Sequence, residues 1–119
     1  MLYVKILLYG GVNIMKENRT NPRFKIELNV IIKGINRDFK AHTVDLSLNG
    51  IFLKTTQKFP IASFVEMIIE VLPLKQNIEV LGKIIHKRAK IGVGIEFIEY
   101  AEGSKEILKS LVEFNENLE

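Results

Sequence analysis

Two arginines four residues apart in the segment ENRTNPRF, residues 17–24, are the first side chains whose type and spacing suggest binding chemistry. Arginine is scarce in this chain: only four of the 17 basic residues are Arg, and two of these are Arg19 and Arg23. A guanidinium binds phosphate through two parallel hydrogen bonds or contacts the O6 and N7 acceptors of guanine, and lysine is a poor substitute. Pro22 disfavours helix before it, so the segment is predicted to be extended with both arginines on one side.

A second polar group, DLSLNG at residues 45–50, has chemistry that complements the arginines. The Asp45 carboxylate can accept the N1 and N2 protons of guanine, the Ser47 hydroxyl can bond to phosphate or base, and Gly50 permits close backbone approach. Asn49 followed by glycine also favours a tight hairpin. Each group alone has an ordinary explanation, as a solvated charge pair or as a turn. Together they predict a site for a guanine nucleotide with exposed phosphates.

The elements that must position these residues follow from hydrophobic periodicity. Period-two alternation predicts six short antiparallel strands, and Gly82 within the fifth is predicted to be a bulge or bend. The sixth strand is predicted to point Ile91, Val93, Ile95 and Phe97 to one face. Helical spacing of apolar residues after Ser104 predicts one C-terminal amphipathic α-helix. The strands are residues 24–33, 39–46, 51–55, 64–72, 78–89 and 91–98, and the helix is residues 104–117.

This pattern predicts an all-β fold with a terminal helix, namely a six-stranded antiparallel split β-barrel. If the first hairpin turn is centred near Asn36, antiparallel partners have residue numbers that sum to about 72. Ser47 then lies opposite Lys25, and Asn49 lies opposite Arg23. The two polar groups are therefore predicted to form one site.

The composition of the chain limits the classes of function that it can have. A chain of 119 residues with 47% hydrophobic residues fits one domain, and its net charge of +3 suits a small anionic ligand better than duplex nucleic acid. The chain has no cysteine, and His42 and His86 have no second ligand at metal spacing, so no metal site and no cofactor are predicted. No pair of carboxylates suggests acid and base catalysis, and the protein is predicted not to be an enzyme.

Two interpretations stay open for residues 1–14. The apolar run, interrupted by Lys5, lasts about eleven residues, whereas a membrane span needs roughly twenty. One interpretation is a translated leader before a natural start at Met15, since the codons of residues 10–12 can read GGAGGTG, a ribosome-binding sequence. The other is an extra N-terminal strand or an interfacial anchor.

The two motifs together resemble those of the PilZ domain family, bacterial receptors for cyclic di-GMP. That family is marked by RxxxR in an arm before the first strand and by D/NxSxxG at the end of the second, on a six-stranded barrel with a C-terminal helix. RTNPR matches the first motif and DLSLNG the second, and GVGIEF in the sixth strand resembles a common G-x-x-F ending. The likeness covers roughly residues 16–116.

The resemblance implies that Arg19 and Arg23 hold phosphates and guanine, while Asp45, Ser47 and Gly50 complete the pocket on the outer surface of the barrel. Two further residues are secondary candidates, Asn18 and Asn49. Many members carry a basic residue at the position of Asn18 and hold an intercalated pair of ligand molecules. Whether this protein binds one ligand molecule or two therefore stays open.

Residues 15–23 are predicted to be a flexible ligand-binding arm because residues 16–23 contain no large apolar side chain, and residues 24–117 form the barrel and helix. Ligand is expected to order the arm and create a surface for an unknown protein partner. The protein is expected to be cytoplasmic, to be a monomer or homodimer, and to lack a membrane span.

Two alternative functions stay open. One is a PilZ-like adaptor that works without ligand. The other is a small β-barrel that binds single-stranded nucleic acid, although no aromatic patch is expected beside the basic residues and no nucleic-acid partner is predicted.

Overall fold

The computed structural model describes residues 22–117, which form seven strands, a short 3-10 helix and one α-helix. The strands are β1 (Phe24–Lys25), β2 (Asn29–Lys33), β3 (Phe39–Leu46), β4 (Gly50–Lys54), β5 (Phe64–Val71), β6 (Gln76–Arg88) and β7 (Gly92–Tyr100). The 3-10 helix is Leu72–Leu74, and α1 is Ser104–Asn117.

Six of these strands close into a barrel. All neighbours are antiparallel, in the order β2, β5, β6, β7, β4 and β3, and β3 returns to pair with β2. The two-residue strand β1 pairs with the far end of β3. The predicted six-stranded barrel with a C-terminal helix is therefore confirmed, and closure leaves its six strands paired on both sides.

The predicted first strand is divided into β1 and β2 by a side chain of the facing strand. The Thr43 hydroxyl accepts the Leu28 N–H at 2.8 Å and donates to the Ile26 carbonyl. These backbone groups would otherwise seek partners in the ladder. A threonine side chain thus supplies the bonds at the break, and β1 can continue with a different offset from β2.

The barrel interior is built from alternate residues of each strand, because successive side chains in a strand point to opposite faces. The inward positions of β5 are all buried: Val65, Met67, Ile69 and Val71. The α-helix begins at the predicted residue, packs against β6, and buries Leu108, Leu111 and Val112. Within residues 22–117, no helix has the length and apolarity needed to cross a bilayer.

Gly82 forms the predicted irregularity in β6. The pairing with β7 shifts register between Leu81 and Gly82, and a Cβ on the glycine would lie 2.3 Å from Cγ2 of Ile95. The glycine therefore allows β6 to bend over the core.

The prediction that Ile91 shares a face with Val93 and Ile95 is wrong, because its side chain is 48% exposed whereas theirs are buried. The strand begins one residue later, at Gly92. Ile91 instead belongs to the preceding turn, where its N–H donates to the Arg88 carbonyl and Lys90 has a φ of 65°.

Candidate functional site

The arm and the β3–β4 turn meet at an ion pair between Arg23 and Asp45. The Nη1 atom of Arg23 lies 2.6 Å from Oδ1 of Asp45. The side chain of Arg23 is 50% exposed and that of Asp45 is 24% exposed, so both remain accessible from solvent. The structure therefore brings together one residue of each predicted motif, although 22 residues separate them in sequence.

The predicted register at this point is wrong by two residues. Lys25 lies opposite Asp45 rather than Ser47, and Phe24 lies opposite Leu46. The partners in β1 and β3 therefore have numbers that sum to 70, whereas those in β2 and β3 sum to 71. The interruption at Thr43 introduces the extra offset, which counting from the turn alone does not reveal.

Ser47 is buried and shapes the turn. Its side-chain oxygen accepts the N–H of Asn49 at 3.1 Å and the N–H of Gly50 at 3.2 Å. Its own N–H donates to the Gly50 carbonyl at 2.9 Å. The residue is only 2% exposed, so its direct contacts in this structure are with the backbone of its own turn.

Gly50 permits a close approach between strands. A Cβ at this position would lie 2.4 Å from the carbonyl oxygen of Ile95 in β7. Gly50 pairs with Glu96, and its φ is not positive, so glycine is required here by space rather than by an unusual backbone conformation. The tight turn predicted from Asn49 and Gly50 is confirmed, and it is centred on Leu48 and Asn49.

Two contacts from the end of β7 hold this turn, and the sequence does not predict them. The Tyr100 hydroxyl donates to the Leu48 carbonyl at 3.1 Å, and the Phe97 N–H donates to the Asn49 carbonyl at 2.8 Å. Burial raises the pKa of Tyr100 to about 12, because the charged phenolate is poorly solvated there. Tyr100 lies 52 residues from Leu48 in the sequence, and no pattern among neighbouring residues predicts such a contact.

The outer face beside Asp45 carries an aromatic and basic cluster. Asp45 lies opposite Phe52, and Phe52 and His86 both lie opposite Gly94. The Arg88 guanidinium carbon lies 5.3 Å from the centroid of the Phe52 ring. Arg88 is distant from Phe52 in the sequence but adjacent to it in the sheet, so one aromatic ring lies beside a basic side chain at this face.

Two predicted site residues, Asn18 and Arg19, lie outside the described residues, and their roles stay predictions. Asn49 lies in the turn and is exposed. Among residues 22–117, no three His, Asp or Glu side chains are grouped as metal ligands would be.

Comparison with protein families matches residues 17–114 to the PilZ domain. This match covers more than half of the chain. The chain belongs to the PilZ domain family. PilZ domains are cyclic di-GMP-binding adaptor modules rather than enzymes, which places this protein in a family of ligand receptors.

A solved structure similar to this PilZ domain is the Bacillus subtilis inhibitor of motility (MotI/DgrA), with a TM-score of 0.68. The sequences are 17% identical, and the match covers 85% of this chain and 52% of that chain. At this identity the likeness shows the fold alone, and the PilZ domain spans about half the length of that protein. No curated protein matched the chain significantly.

Proposed function

We propose that this PilZ domain binds cyclic di-GMP where its N-terminal arm meets the β3–β4 turn, and that the complex signals to a protein partner. The observation that carries the proposal is the 2.6 Å contact between Arg23 and Asp45. It joins a donor suited to phosphate or guanine with an acceptor suited to the Watson-Crick edge of guanine, on an accessible surface. Family membership supports the same ligand class.

The ion pair leaves capacity for a ligand on both partners. A guanidinium has five N–H donors, and only one nitrogen of Arg23, Nη1, donates to Asp45. The second carboxylate oxygen of Asp45 has no protein partner within hydrogen-bond distance among the described residues. In the proposed complex, Asp45 accepts from guanine N1 and N2 while it orients Arg23 toward a phosphate or the O6 and N7 edge. Arg19 supplies the second fork of donors.

The buried residues of the motif have a supporting role in this proposal. Ser47 fixes the turn by accepting two backbone N–H groups, and Gly50 lets the turn approach β7. Loss of either residue would therefore weaken binding by displacing Asp45. Contacts to ligand from the Ser47 hydroxyl would require the turn to open, because that oxygen is buried.

Isothermal titration calorimetry with cyclic di-GMP tests the proposal. We expect the intact protein to bind cyclic di-GMP, with GTP and cyclic di-AMP as controls for phosphate charge and base identity. Arg19→Ala or Arg23→Ala should each weaken binding by about 10- to 100-fold, since a hydrogen bond to a charged group contributes roughly 1.5 to 3 kcal/mol.

The matched control is Arg37→Ala. Arg37 precedes β3 at the end remote from Asp45, and its guanidinium lies over the Phe39 ring rather than near the turn. Arg37→Ala removes the same charge as the site variants, so this variant should bind cyclic di-GMP with the affinity of the unchanged protein. Equal affinity in all three arginine variants would refute the site.

Two other outcomes would favour the alternative functions. No binding by the unchanged protein would favour an adaptor that works without ligand. Strong, salt-sensitive binding to single-stranded DNA would favour the nucleic-acid alternative.

A further inference from the structure

A cleft opens in the wall of the barrel beside β1, where β2 and β5 separate. The pairing of these two strands ends at Val30 and Ile69, so within the described residues Glu70 and Val71 of β5 pair only with β6. The cleft has a volume of about 260 Å³ and is lined by Ile26, Glu27, Leu28, Asn29, Glu70 and Leu72. This volume is below the roughly 300 to 1,000 Å³ of small-molecule sites and suits a few side chains of an extended peptide.

One wall of the cleft is an open strand edge at Glu27. The Thr43 hydroxyl accepts the Leu28 N–H at 2.8 Å and donates to the Ile26 carbonyl. The Thr43 N–H donates to the Leu28 carbonyl at 3.0 Å. Because the backbone groups of successive residues in an extended strand point to opposite sides, those of Glu27 point away from β3 and toward the cleft. Within residues 22–117 they have no backbone partner, so this edge can accept another strand.

The side chains of the cleft combine apolar surface with negative charge. Leu72 is 71% exposed. Glu27 is exposed, Glu70 is half-buried, and the lining contains no cation. Both ion pairs within residues 22–117 use other carboxylates, those of Asp45 and Asp38. A strand that carries lysine or arginine would therefore meet complementary charge as well as an open edge.

We propose that this cleft is the docking site of the protein partner, which adds an extended basic segment to the edge at Glu27. The inference rests on the proposed function, because it assigns the surface through which the cyclic di-GMP complex signals. Backbone hydrogen bonds to Glu27 give affinity, and alternate basic side chains of the segment pair with the carboxylates of Glu27 and Glu70.

The cleft adjoins the proposed ligand site through β1. Arg23, which contacts Asp45, immediately precedes β1, and Ile26 of the cleft wall immediately follows it. This strand is two residues long and pairs with β3, so few backbone bonds hold it. A ligand that grips Arg23 and Asp45 keeps β1 against β3, and the partner then meets a preformed edge. Ligand and partner therefore raise each other's affinity by the same factor.

NMR titration of the full chain with VKVKVKV, a blocked peptide of alternating valine and lysine, provides the test. We expect the peptide to shift the amide signals of residues 26–29 and to slow hydrogen exchange at the Glu27 amide, which gains a partner. Saturating cyclic di-GMP should strengthen peptide binding by about 5-fold or more, as is usual for coupled sites. The same peptide methylated at every backbone nitrogen keeps its side chains but cannot donate to an edge, and it should not bind.

Charge reversal in the cleft has a matched control on the same strand. Glu27→Lys and Glu70→Lys should each weaken peptide binding by about 5- to 30-fold, because an attraction becomes a repulsion. Glu66→Lys makes the same change in β5 opposite Lys33, outside the cleft, and should leave the peptide affinity unchanged at physiological salt. Thermal unfolding of each variant verifies that the barrel remains folded.

The docking site is supported by peptide binding that both cleft substitutions weaken and Glu66→Lys does not. The second requirement is that cyclic di-GMP strengthens this binding in the unchanged protein but not in Arg23→Ala. If the protein binds cyclic di-GMP but not the peptide, or if all three charge variants bind the peptide equally, the docking site is refuted and the proposed function stands. Peptide binding that full occupancy by cyclic di-GMP does not alter also refutes the cleft as the signalling surface.

Failure of the proposed function gives a different result. If calorimetry shows no binding of cyclic di-GMP, that function is refuted, and the peptide titration alone decides the docking site. Binding that both cleft substitutions weaken then supports a docking site, and absence of binding refutes it.

Discussion

At the scale of single residues, the second motif combines a ligand-facing group with structural groups. Asp45 is accessible and paired with Arg23. Ser47 and Gly50 are buried, one as an acceptor for the turn and the other where a Cβ would meet the Ile95 carbonyl. Equal spacing in the sequence therefore does not mean equal roles, because only the side chains that point outward from the barrel can contact a ligand without rearrangement.

Tyr100→Phe tests how the turn is held. The substitution removes the hydroxyl that donates to the Leu48 carbonyl, and we expect a loss of about 1 to 3 kcal/mol in the free energy of unfolding because that carbonyl loses its partner. Urea unfolding at pH 7 measures this loss. A variant as stable as the unchanged protein would show that water replaces the phenol at no cost.

The same variant isolates a pH effect. The pKa of Tyr100 is raised to about 12, above the ordinary tyrosine value, so the folded protein keeps a proton that the unfolded chain loses near pH 10. The associated stability is complete below about pH 10 and declines as the pH rises toward about 12. Unfolding curves between pH 9 and about 11.5 should show the difference between the two proteins narrowing, while lysine titration affects both alike.

At the scale of elements, glycines determine whether β4 and β7 can pair and close the barrel. Gly50 faces a backbone oxygen that cannot move without shifting a strand, whereas Gly94 faces the side chains of His86 and Phe52. The two glycines lie in the same pair of strands, so they are matched positions for comparing backbone and side-chain crowding.

We expect Gly50→Ala to destabilise the protein much more than Gly94→Ala. The first forces a Cβ to within 2.4 Å of the Ile95 carbonyl oxygen, and the second brings it to 3.3 Å from Cβ of His86. Losses of about 3 kcal/mol or more and of less than about 1 kcal/mol are expected, respectively. The urea concentrations at the unfolding midpoints provide the comparison, provided that the dependence of the free energy of unfolding on urea is the same in both variants. Equal losses of unfolding free energy would contradict the assigned role of Gly50.

At the scale of the whole molecule, the barrel provides a rigid surface and the arm provides the second half of the proposed site. The six strands are closed and their inward side chains form one core. A ligand gripped by Arg19, Arg23 and Asp45 would link the arm to this surface at several points. The resulting composite surface is what a protein partner would recognise.

Hydrogen-deuterium exchange tests this proposed coupling. With saturating cyclic di-GMP, backbone amides of residues 15–23 should exchange more slowly, while GTP should produce no change. Core amides such as those of β5 are the internal reference. Unchanged exchange in the arm, under conditions where calorimetry shows full occupancy, would contradict ligand-driven ordering while leaving binding intact.

The sequence by itself predicted the barrel, the helix bounds, the β3–β4 turn and the bulge at Gly82. These features depend on local periodicity and turn chemistry, which are readable from neighbouring residues. The same reasoning brought the arm with Arg23 to the turn at residues 45–50, although it placed Arg23 opposite Asn49 and the register was wrong by two residues.

Only the tertiary structure decided what depends on pairing between distant strands. Thr43 divides the first strand, Tyr100 holds a turn 52 residues away, and Arg88 lies against Phe52 across β7. Such contacts are set by the closure of the sheet and by its bulges, and a single offset of one residue redirects every side chain beyond it. The residue types of the arginine and aspartate site were therefore visible in the sequence, whereas the aromatic surface beside it appeared only when the barrel closed.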